Sequence, residues 1–271
     1  MIPNVLTIAG SDPSGGAGIQ ADLKAFSALG AYGMAALTAL TAQNTRAVTG
    51  IHAVPPDFIA AQIDAIFADV RVDALKIGMV GVTEAVEAVA ERLSAHRARQ
   101  VVLDPVMVAK SGDRLLDESA VAAVRERLVP LAAVITPNLP EAGVLLDRPA
   151  PDEPEAMREA ARALHALGPH LVLLKGGHLA GEESFDLLYD GDDYVELPAR
   201  RIATRNTHGT GCTLSAAIAA LLPRHGNPAV AIAEAKAYVT AAIAAADRLS
   251  VGHGHGPVHH FHALWPHKPA D

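Results

Sequence analysis

Residues 5–29, VLTIAGSDPSGGAGIQADLKAFSAL, contain the pattern that decides the fold. The apolar run at residues 5–9 predicts a β-strand, the glycines of residues 10–18 predict a loop, and residues 19–29 predict a helix. A strand, a loop and a helix in this order form the repeating unit of a parallel sheet, because parallel neighbours need a crossover connection. The stretch therefore predicts an α/β protein.

The same alternation continues along the chain. Further strands are predicted at residues 35–42, 74–77, 101–103, 133–135 and 171–174, and a hairpin at residues 184–190 and 194–197. Further helices are predicted at residues 84–93, 119–128, 154–167, 211–222 and 229–249, and another begins at Pro55-Pro56. No low-complexity linker interrupts the pattern, so we expect one domain over residues 1–271, with a mostly parallel sheet covered on both faces.

The composition narrows the classes of function. The chain has 22 Lys and Arg against 30 Asp and Glu, which gives a net charge of −8, and only 4 % of its residues are aromatic. Both the negative charge and the scarcity of aromatic side chains argue against a nucleic-acid partner. The single cysteine, Cys212, excludes an intramolecular disulfide and fits a reducing compartment. The sequence shows no signal peptide and no uncharged apolar stretch of ~20 residues, so we expect a cytoplasmic protein without a membrane partner.

The loop at residues 10–18, GSDPSGGAG, admits three functional interpretations. A Walker A phosphate loop would end in Gly-Lys-Ser/Thr, but no lysine occurs before Lys24. A dinucleotide-binding loop needs an acidic residue ~20 residues later, but none lies between Asp22 and Asp57. The third interpretation is a surface on which a small ligand lies against the backbone. Taken alone, the loop is most simply an ordinary strand–helix turn.

A second glycine-rich turn, NTHGTGCT at residues 206–213, directly precedes a predicted helix. Backbone N–H groups and the helix dipole would make Gly209, Thr210 and Gly211 a site for a phosphoryl group. Cys212 would lie in the first helical turn, where we expect a thiol pKa below the ~8.5 of a free cysteine. Such a thiol could be a base, a nucleophile or a polar contact, and a small buried cysteine is an equally good interpretation.

Polar side chains also follow other predicted strands. Asn138 and Glu141 are spaced i, i+3 at a helix start, where they could orient water around Mg²⁺ or simply cap the helix. Asp104 and Lys175 each follow an apolar strand, where ligands of α/β sheets bind. Lys175 can reach a phosphate or extend to solvent.

The C-terminal segment is rich in histidine. Six of the 13 histidines lie at or beyond residue 253, and residues 252–262 read GHGHGPVHHFH. This dense spacing is unlike that of a structural zinc site. We therefore expect no more than fortuitous metal affinity.

Seven segments together resemble one family. They are TIAGSDPSGGAGIQADLK (7–24), LTAQNTRAV (40–48), LKIGM (75–79), DPVMVAKSGDRLL (104–116), TPNLPEA (136–142), LLKGGH (173–178) and NTHGTGCTLSAAIA (206–219). All resemble the bacterial hydroxymethylpyrimidine/phosphomethylpyrimidine kinases of thiamine biosynthesis, members of the ribokinase-like superfamily. The resemblance implies a three-layer α/β/α sandwich, usually a dimer. It also implies two ATP-dependent phosphorylations, first of 4-amino-5-hydroxymethyl-2-methylpyrimidine and then of its monophosphate.

The resemblance also implies roles for individual residues. The pyrimidine pocket would be formed by Gln43, Gly10, Asp22, Met79 and Val106. The catalytic group would comprise Gly209, Thr210, Gly211, Cys212 as the proton acceptor, and Lys175. ATP would contact Lys175, Asn138, Glu141 and Lys236, and Mg²⁺ would be held by Asp104 and Glu141. Residues 110–113 resemble a lid that excludes water.

Two rival functions remain open at this point. A pyridoxal or pyridoxine kinase, or an enzyme using both substrates, would share the fold and chemistry, because one pocket residue discriminates only modestly. A non-catalytic ligand-binding protein would be expected to lose the Gly-Thr-Gly-Cys turn, the Asn-x-x-Glu motif or Lys175, and all three are intact.

Overall fold

The computed structural model describes residues 1–107, 116–177, 179 and 183–265. Within them, nine strands form one sheet in the order β3-β2-β1-β4-β5-β6-β7-β8-β9. The strands are β1 (Asn4–Ser11), β2 (Tyr32–Gln43), β3 (Val48–Ala53), β4 (Ala74–Ile77), β5 (Val101–Leu103), β6 (Val134–Ile135), β7 (Leu171–Leu174), β8 (Glu183–Tyr189) and β9 (Tyr194–Arg200). The five pairings from β2 through β1 to β7 are parallel, whereas β3, β8 and β9 are attached in antiparallel fashion.

Helices cover both faces of this sheet. In the described residues they are α1 (Gly18–Ala28), α2 (Pro56–Asp69), α3 (Thr83–Ala95), α4 (Glu118–Ala123), α5 (Leu139–Leu146), α6 (Pro154–His165), α7 (Thr210–Leu221) and α8 (Pro228–Ala244). Helices α2 to α6 share one apolar layer, and α1, α7 and α8 share the other. The expected three-layer α/β/α sandwich with a mostly parallel sheet is confirmed.

The central strands are buried because their side chains alternate between the two layers. In β1, Leu6 and Ile8 belong to one apolar layer and Val5 to the other, and all three are fully buried. Burying a large aliphatic side chain contributes about 1.5–3 kcal/mol. Continuous apolar runs such as residues 101–103 and 171–174 follow from this two-sided burial.

One predicted helix changes type along its length, and another ends earlier than expected. The helix predicted at residues 119–128 is α-helical as α4 up to Ala123 and continues as a wider π-helix over Val124–Leu128, so its predicted end agrees with the structure. Pro130 in the next turn has no N–H to donate and cannot extend an α-helix. The helix predicted at residues 229–249 ends at Ala244. The segment beyond it folds back, and the His259 N–H donates to the Ala242 carbonyl at 3.0 Å.

Strand β3 was not predicted, because its residues give no apolar alternation. All six are exposed, and Gly50 lies in their middle. Pairing with β2 supplies the backbone hydrogen bonds of this edge strand. The sheet therefore extends beyond the strands that periodicity identifies.

Candidate active site

The start of helix α7 forms a backbone cradle at the carboxyl edge of the sheet. Gly209 caps the helix with φ 75°, a conformation that favours glycine. A side chain there would also collide with the Gly16 carbonyl oxygen, so the Gly209 loop lies directly against the glycine-rich loop. The Thr210 hydroxyl donates to the Thr207 carbonyl at 2.8 Å. These contacts fix the N–H groups of the first helical turn as potential anion ligands.

A charged cluster faces this cradle. Lys175 Nζ lies 2.9 Å from Asp104 Oδ1 and 4.0 Å from Glu141 Oε2. A methyl group placed on Gly211 would lie 3.3 Å from Lys175 Nζ and 3.6 Å from Asp104 Oδ2. The structure thus brings together four of the predicted residues. Asp104 follows β5, Lys175 follows β7, and Glu141 and Gly211 lie in the first turns of α5 and α7.

Burial and charge together determine the protonation of this cluster. Burial raises the pKa of Glu141 to about 7, and the nearby Asp104 charge adds to the increase although Lys175 opposes it. Burial would also raise the pKa of Asp104, but the Lys175 and Lys76 ammonium groups outweigh it and lower that pKa. The pocket thus holds two converging carboxylates, and a further cation would relieve their repulsion.

Asn138 and Glu141 have a structural role that is visible in their hydrogen bonds. The Asn138 N–H donates to Glu141 Oε2 at 2.8 Å, and the Glu141 N–H donates to Asn138 Oδ1 at 2.8 Å. This reciprocal capping box fixes the start of α5. It also places the Glu141 carboxylate beside Lys175.

Cys212 is partly exposed in the first turn of α7. Burial of the thiol raises its pKa to about 11, and the opposing effects of the Lys76 charge and of a hydrogen bond from the Gly18 N–H are smaller. The expectation of an acidic thiol at the helix start is therefore wrong. The negative charges of Asp22 and Asp104 also act against ionisation.

Three of the predicted pyrimidine-contacting residues lie close together. A methyl group on Gly10 would lie 2.7 Å from Met79 Cε, so these two residues are in contact. The Gln43 amide nitrogen lies 3.4 Å from His208 Nε2, and its oxygen lies 3.2 Å from Thr41 Oγ1. Thr41 in turn donates to the carbonyl of Ser11, next to Gly10, at 2.8 Å.

A cavity of about 170 Å³ adjoins these residues and is lined by Thr38, Met79, Val80 and Ile51 among others. Thr38 donates to the Met79 carbonyl at 2.7 Å and so holds one wall in place. Val106 is half-buried two residues after Asp104, and its N–H donates to the Asp104 carbonyl at 2.8 Å.

Asp22 is engaged in a buried ion pair, and its contact with a substrate stays a prediction. Its side chain is fully buried and accepts hydrogen bonds from Thr7 at 2.6 Å and from Lys76 at 2.9 and 3.1 Å. Burial would lower the pKa of Lys76, but the charges of Asp22, Cys212 and Asp104 raise it. Sequence reasoning missed Lys76, although a lysine inside the apolar strand ALKI was a signal that a buried anion lies nearby.

Asp12 and His208 form a second pair that sequence reasoning missed. His208 Nε2 lies 2.8 Å from Asp12 Oδ2, which joins the glycine-rich loop to the Gly209 loop. Burial alone would raise the pKa of Asp12. Hydrogen bonds from His208, Ser14 and Ala17 outweigh burial and lower the pKa to about 2.

The histidine-rich segment packs onto this side of the site. The His208 N–H donates to the Gly256 carbonyl at 3.0 Å, and the His255 N–H donates to the Thr45 carbonyl at 2.9 Å. Side chains at Gly252 and Gly254 would collide with Thr45. The segment therefore acts as a strap between the end of β2 and the Gly209 loop, a role that the histidine spacing did not suggest.

Lys236 was expected to line the nucleotide side of the site, and in the structure its ammonium group forms an ion pair with Asp186. Its Nζ lies 2.6 Å from Asp186 Oδ2, and Asp186 Oδ1 accepts from the Gly176 N–H at 3.0 Å. Lys236 thus supports the backbone that follows Lys175. Its contact with a nucleotide stays a prediction.

Residues 110–113, predicted as a lid, lie outside the described residues. Over the described ranges, no three His, Cys, Asp or Glu side chains converge as a preformed metal site. In those same ranges, no helix has both the length and the hydropathy that a bilayer span requires.

Comparisons with known proteins show the family of the chain. A family model described as phosphomethylpyrimidine kinase matches residues 12–259. The chain is 60 % identical over 262 residues to the hydroxymethylpyrimidine/phosphomethylpyrimidine kinase of Escherichia coli (strain K12), covering 97 % of this chain and 98 % of that protein.

Two solved structures are similar over most of the chain. The pyridoxal kinase of Staphylococcus aureus in complex with AMP-PCP and pyridoxal has a TM-score of 0.89 at 36 % identity, covering 97 % of this chain and 95 % of that one. The phosphomethylpyrimidine kinase of Clostridium difficile 630 has a TM-score of 0.80 at 41 % identity, covering 89 % and 99 %.

Proposed function

Because the chain belongs to the phosphomethylpyrimidine kinase family, we propose that it phosphorylates 4-amino-5-hydroxymethyl-2-methylpyrimidine and then the resulting monophosphate with ATP. The observation that carries the proposal is the cradle at the start of α7, which faces Lys175 and Asp104. A phosphoryl group bound at this helix start would lie beside the Lys175 ammonium group, which would stabilise the charge that develops during transfer.

Catalysis in this site is mainly positioning and charge stabilisation. The substrate oxygen attacks the γ-phosphorus of ATP, the bond between the γ-phosphorus and the ADP oxygen breaks, and the hydroxyl proton passes to the thiolate form of Cys212. Gly209, Thr210 and Gly211 would hold the transferred group, and Lys175 would neutralise it. Asn138, Glu141 and Lys236 stay proposed nucleotide contacts.

Cys212 stays the proposed proton acceptor, and it would act as the thiolate. Because its pKa is about 11, the thiol is protonated at pH 7 and has to release its own proton to solvent before it can take the hydroxyl proton of the substrate. Phosphoryl transfer through a loose transition state needs little base assistance early in the reaction. A Cys212→Ala variant with near-full turnover would remove this role, and a loss of turnover at unchanged thermal stability would support it.

On the substrate side, Gln43 would read the aminopyrimidine, since an amide offers a donor and an acceptor side by side. Gly10, Met79 and Val106 would line the ring. Asp22 would support the pocket indirectly, because its carboxylate forms a fully buried ion pair with Lys76.

ATP is supported as the phosphoryl donor by the AMP-PCP complex of the structural relative. Mg²⁺ fits the chemistry of the site, because Asp104 and Glu141, which both lie beside Lys175, supply the hard oxygen ligands that it prefers. When bound, the ion would neutralise phosphate charge. Among the residues described here, those two carboxylates are the groups we propose to hold it.

A homodimer and a cytoplasmic location are also proposed. Leu40 on β2 and Val48 and Ile51 on β3 are exposed apolar side chains on an antiparallel edge, and such an edge is typically covered by a partner. Light scattering tests the dimer, and an Ile51→Lys variant should shift the mass towards a monomer. The single cysteine supports a reducing compartment.

A second candidate is pyridoxal kinase activity, favoured by the TM-score of 0.89 to a pyridoxal kinase. Mass spectrometry of the products tests the first proposal. With ATP and the hydroxymethylpyrimidine we expect the monophosphate followed by the diphosphate, and neither product with a Lys175→Met variant. Absence of both phosphates with the unmodified protein would refute the proposal.

A further inference from the structure

Gln43 belongs to a chain of hydrogen bonds whose direction can be deduced. Thr41 Oγ1 lies 2.8 Å from the Ser11 carbonyl oxygen and 3.2 Å from Gln43. A carbonyl oxygen only accepts, so the single Thr41 proton goes to Ser11. Thr41 can then only accept at Gln43, and the Gln43 end facing it should be the NH₂ group.

The other end of the Gln43 amide faces His208, and the hydrogen bonds of His208 likewise decide which amide atom can lie there. Asp12 is ionised, because its carboxylate accepts hydrogen bonds from Ser14 and Ala17 as well as from His208. A carboxylate only accepts, so His208 Nε2 carries a proton whether the ring is neutral or charged. The Gln43 amide nitrogen lies 3.4 Å from this Nε2, so an N–H group of the amide would face the N–H group of the ring. Turning the amide by 180° removes both conflicts, since its oxygen and nitrogen have nearly the same shape. The amide oxygen then faces the His208 Nε2–H, whose one proton goes mainly to Asp12 at 2.8 Å and is shared with the amide oxygen at 3.4 Å.

We propose that Asp12 and His208 are positioning residues that hold the Gln43 amide with its oxygen towards the Gly209 loop and its NH₂ group towards Thr41. This inference rests on the proposed function, because it deepens the account of how that site reads its substrate.

The fixed amide leaves one acceptor and one donor free for a ligand, in a defined order along the pocket. The acceptor lies on the side of the Gly209 loop and the donor on the far side. An aminopyrimidine places its exocyclic amine next to the carbon that bears the hydroxymethyl group, with the ring nitrogen beyond it. The order therefore matches a substrate whose amine faces the Gln43 oxygen while its hydroxymethyl group faces the phosphoryl site.

His208 is itself held in place from several directions. Its N–H donates to the Gly256 carbonyl at 3.0 Å, it forms an isolated β-bridge with Pro257, and its ring packs against Gly16. Its side chain is 19 % exposed. The ring therefore has little freedom to turn away from Asp12.

Nuclear magnetic resonance of the ligand-free protein tests the proton directly. Long-range ¹H–¹⁵N spectra distinguish a protonated from an unprotonated ring nitrogen, and a His208→Gln sample assigns the signal. We expect a protonated Nε2 in His208. An unprotonated Nε2 would overturn the inference. The protonation of His208 does not depend on which compound the protein phosphorylates. Failure of this inference can therefore be distinguished from failure of the proposed function.

Steady-state kinetics tests the effect on the substrate. We expect His208→Leu to raise KM for the hydroxymethylpyrimidine about 10-fold, the order of one charge-assisted hydrogen bond, with KM for ATP within about twofold. His208→Gln keeps an N–H donor at a similar reach and should recover most of the loss. Equal increases of both KM values, or a Gln variant no better than Leu, would overturn the positioning role.

The chain offers a matched control. His225 Nε2 lies 2.8 Å from Glu234 Oε2, the same distance as in the His208 pair, but it follows α7 away from the site. His225→Leu should leave both KM values unchanged. Thermal melting of all three variants shows whether a kinetic change follows from lost folding.

Discussion

Replacing Gly211 by alanine should separate stability from activity. Gly211 is the second residue of α7, so alanine fits its helical backbone, which favours alanine over glycine by up to about 1 kcal/mol. The 3.3 Å contact of the new methyl group with Lys175 Nζ offsets part of this gain. For a protein of this size, we expect a melting temperature that is unchanged or about 2 °C higher. Calorimetry measures this shift.

The same methyl group should impair the reaction. It would lie 3.3 Å from Lys175 Nζ and 3.6 Å from Asp104 Oδ2, in the space where a phosphate oxygen has to approach both the helix start and the ammonium group. Loss of one preorganised donor in such a site lowers kcat about 10²-fold. A coupled assay of ADP release measures kcat.

Gly209→Ala is the matched contrast. At φ 75° a non-glycine residue costs about 1–2 kcal/mol, and its methyl group would collide with the Gly16 carbonyl. That variant should lose both stability and activity. Full activity in Gly211→Ala, or a fall in its melting temperature of several degrees, would refute the placement of the phosphoryl group.

Three further predictions follow from the buried groups and the strap. Lys76→Met leaves a buried carboxylate unpaired and should destabilise the protein by about 3–5 kcal/mol in urea unfolding, and a smaller loss would contradict the ion pair. The raised pKa of Glu141, about 7, favours the protonated folded state. Its contribution to stability is therefore complete below pH 4.5 and is lost as pH rises through 7. Glu141→Gln should remove a decline of at most about 3 kcal/mol between pH 5 and pH 8, and an unchanged decline would assign it to another group. Gly254→Ala would collide with Thr45 and should raise KM for the pyrimidine, whereas Gly226→Ala has open space and should change nothing. Equal kinetics in these two variants would show that the strap has no role.

The central sheet was predictable because its strands carry their own signal. The runs at residues 101–103 and 171–174 are apolar on both faces, as two covering layers require, and only Lys76 interrupts the run at residues 74–77. Polar residues just after those runs, such as Asp104 and Lys175, pointed to the carboxyl edge, and the structure brings these two to 2.9 Å.

Other features depend on distant partners and could not be predicted. Lys76 and Asp22 are 54 residues apart in sequence, and neither residue alone shows that the other is its partner. Asp12 and His208 are 196 residues apart and meet only because two loops pack together. The pKa of Cys212 also escaped prediction, because the helix start suggested an acidic thiol while burial acts in the opposite direction.

The alternating glycines of the C-terminal segment show the same limitation. In sequence, this histidine-rich segment suggested no more than fortuitous metal affinity. In the structure, Gly252 and Gly254 are glycines because Thr45 occupies the space of their side chains, and Gly256 because Asn206 does. Only the fold reveals that contact.

The most direct test of the central claim is the ratio of kcat/KM values for three substrates offered separately with ATP and Mg²⁺. We predict turnover of the hydroxymethylpyrimidine and of its monophosphate, each with kcat/KM well above that of pyridoxal. Turnover of pyridoxal alone, or of the hydroxymethylpyrimidine without its monophosphate, would contradict the account and remove the pyrimidine-reading role of Gln43.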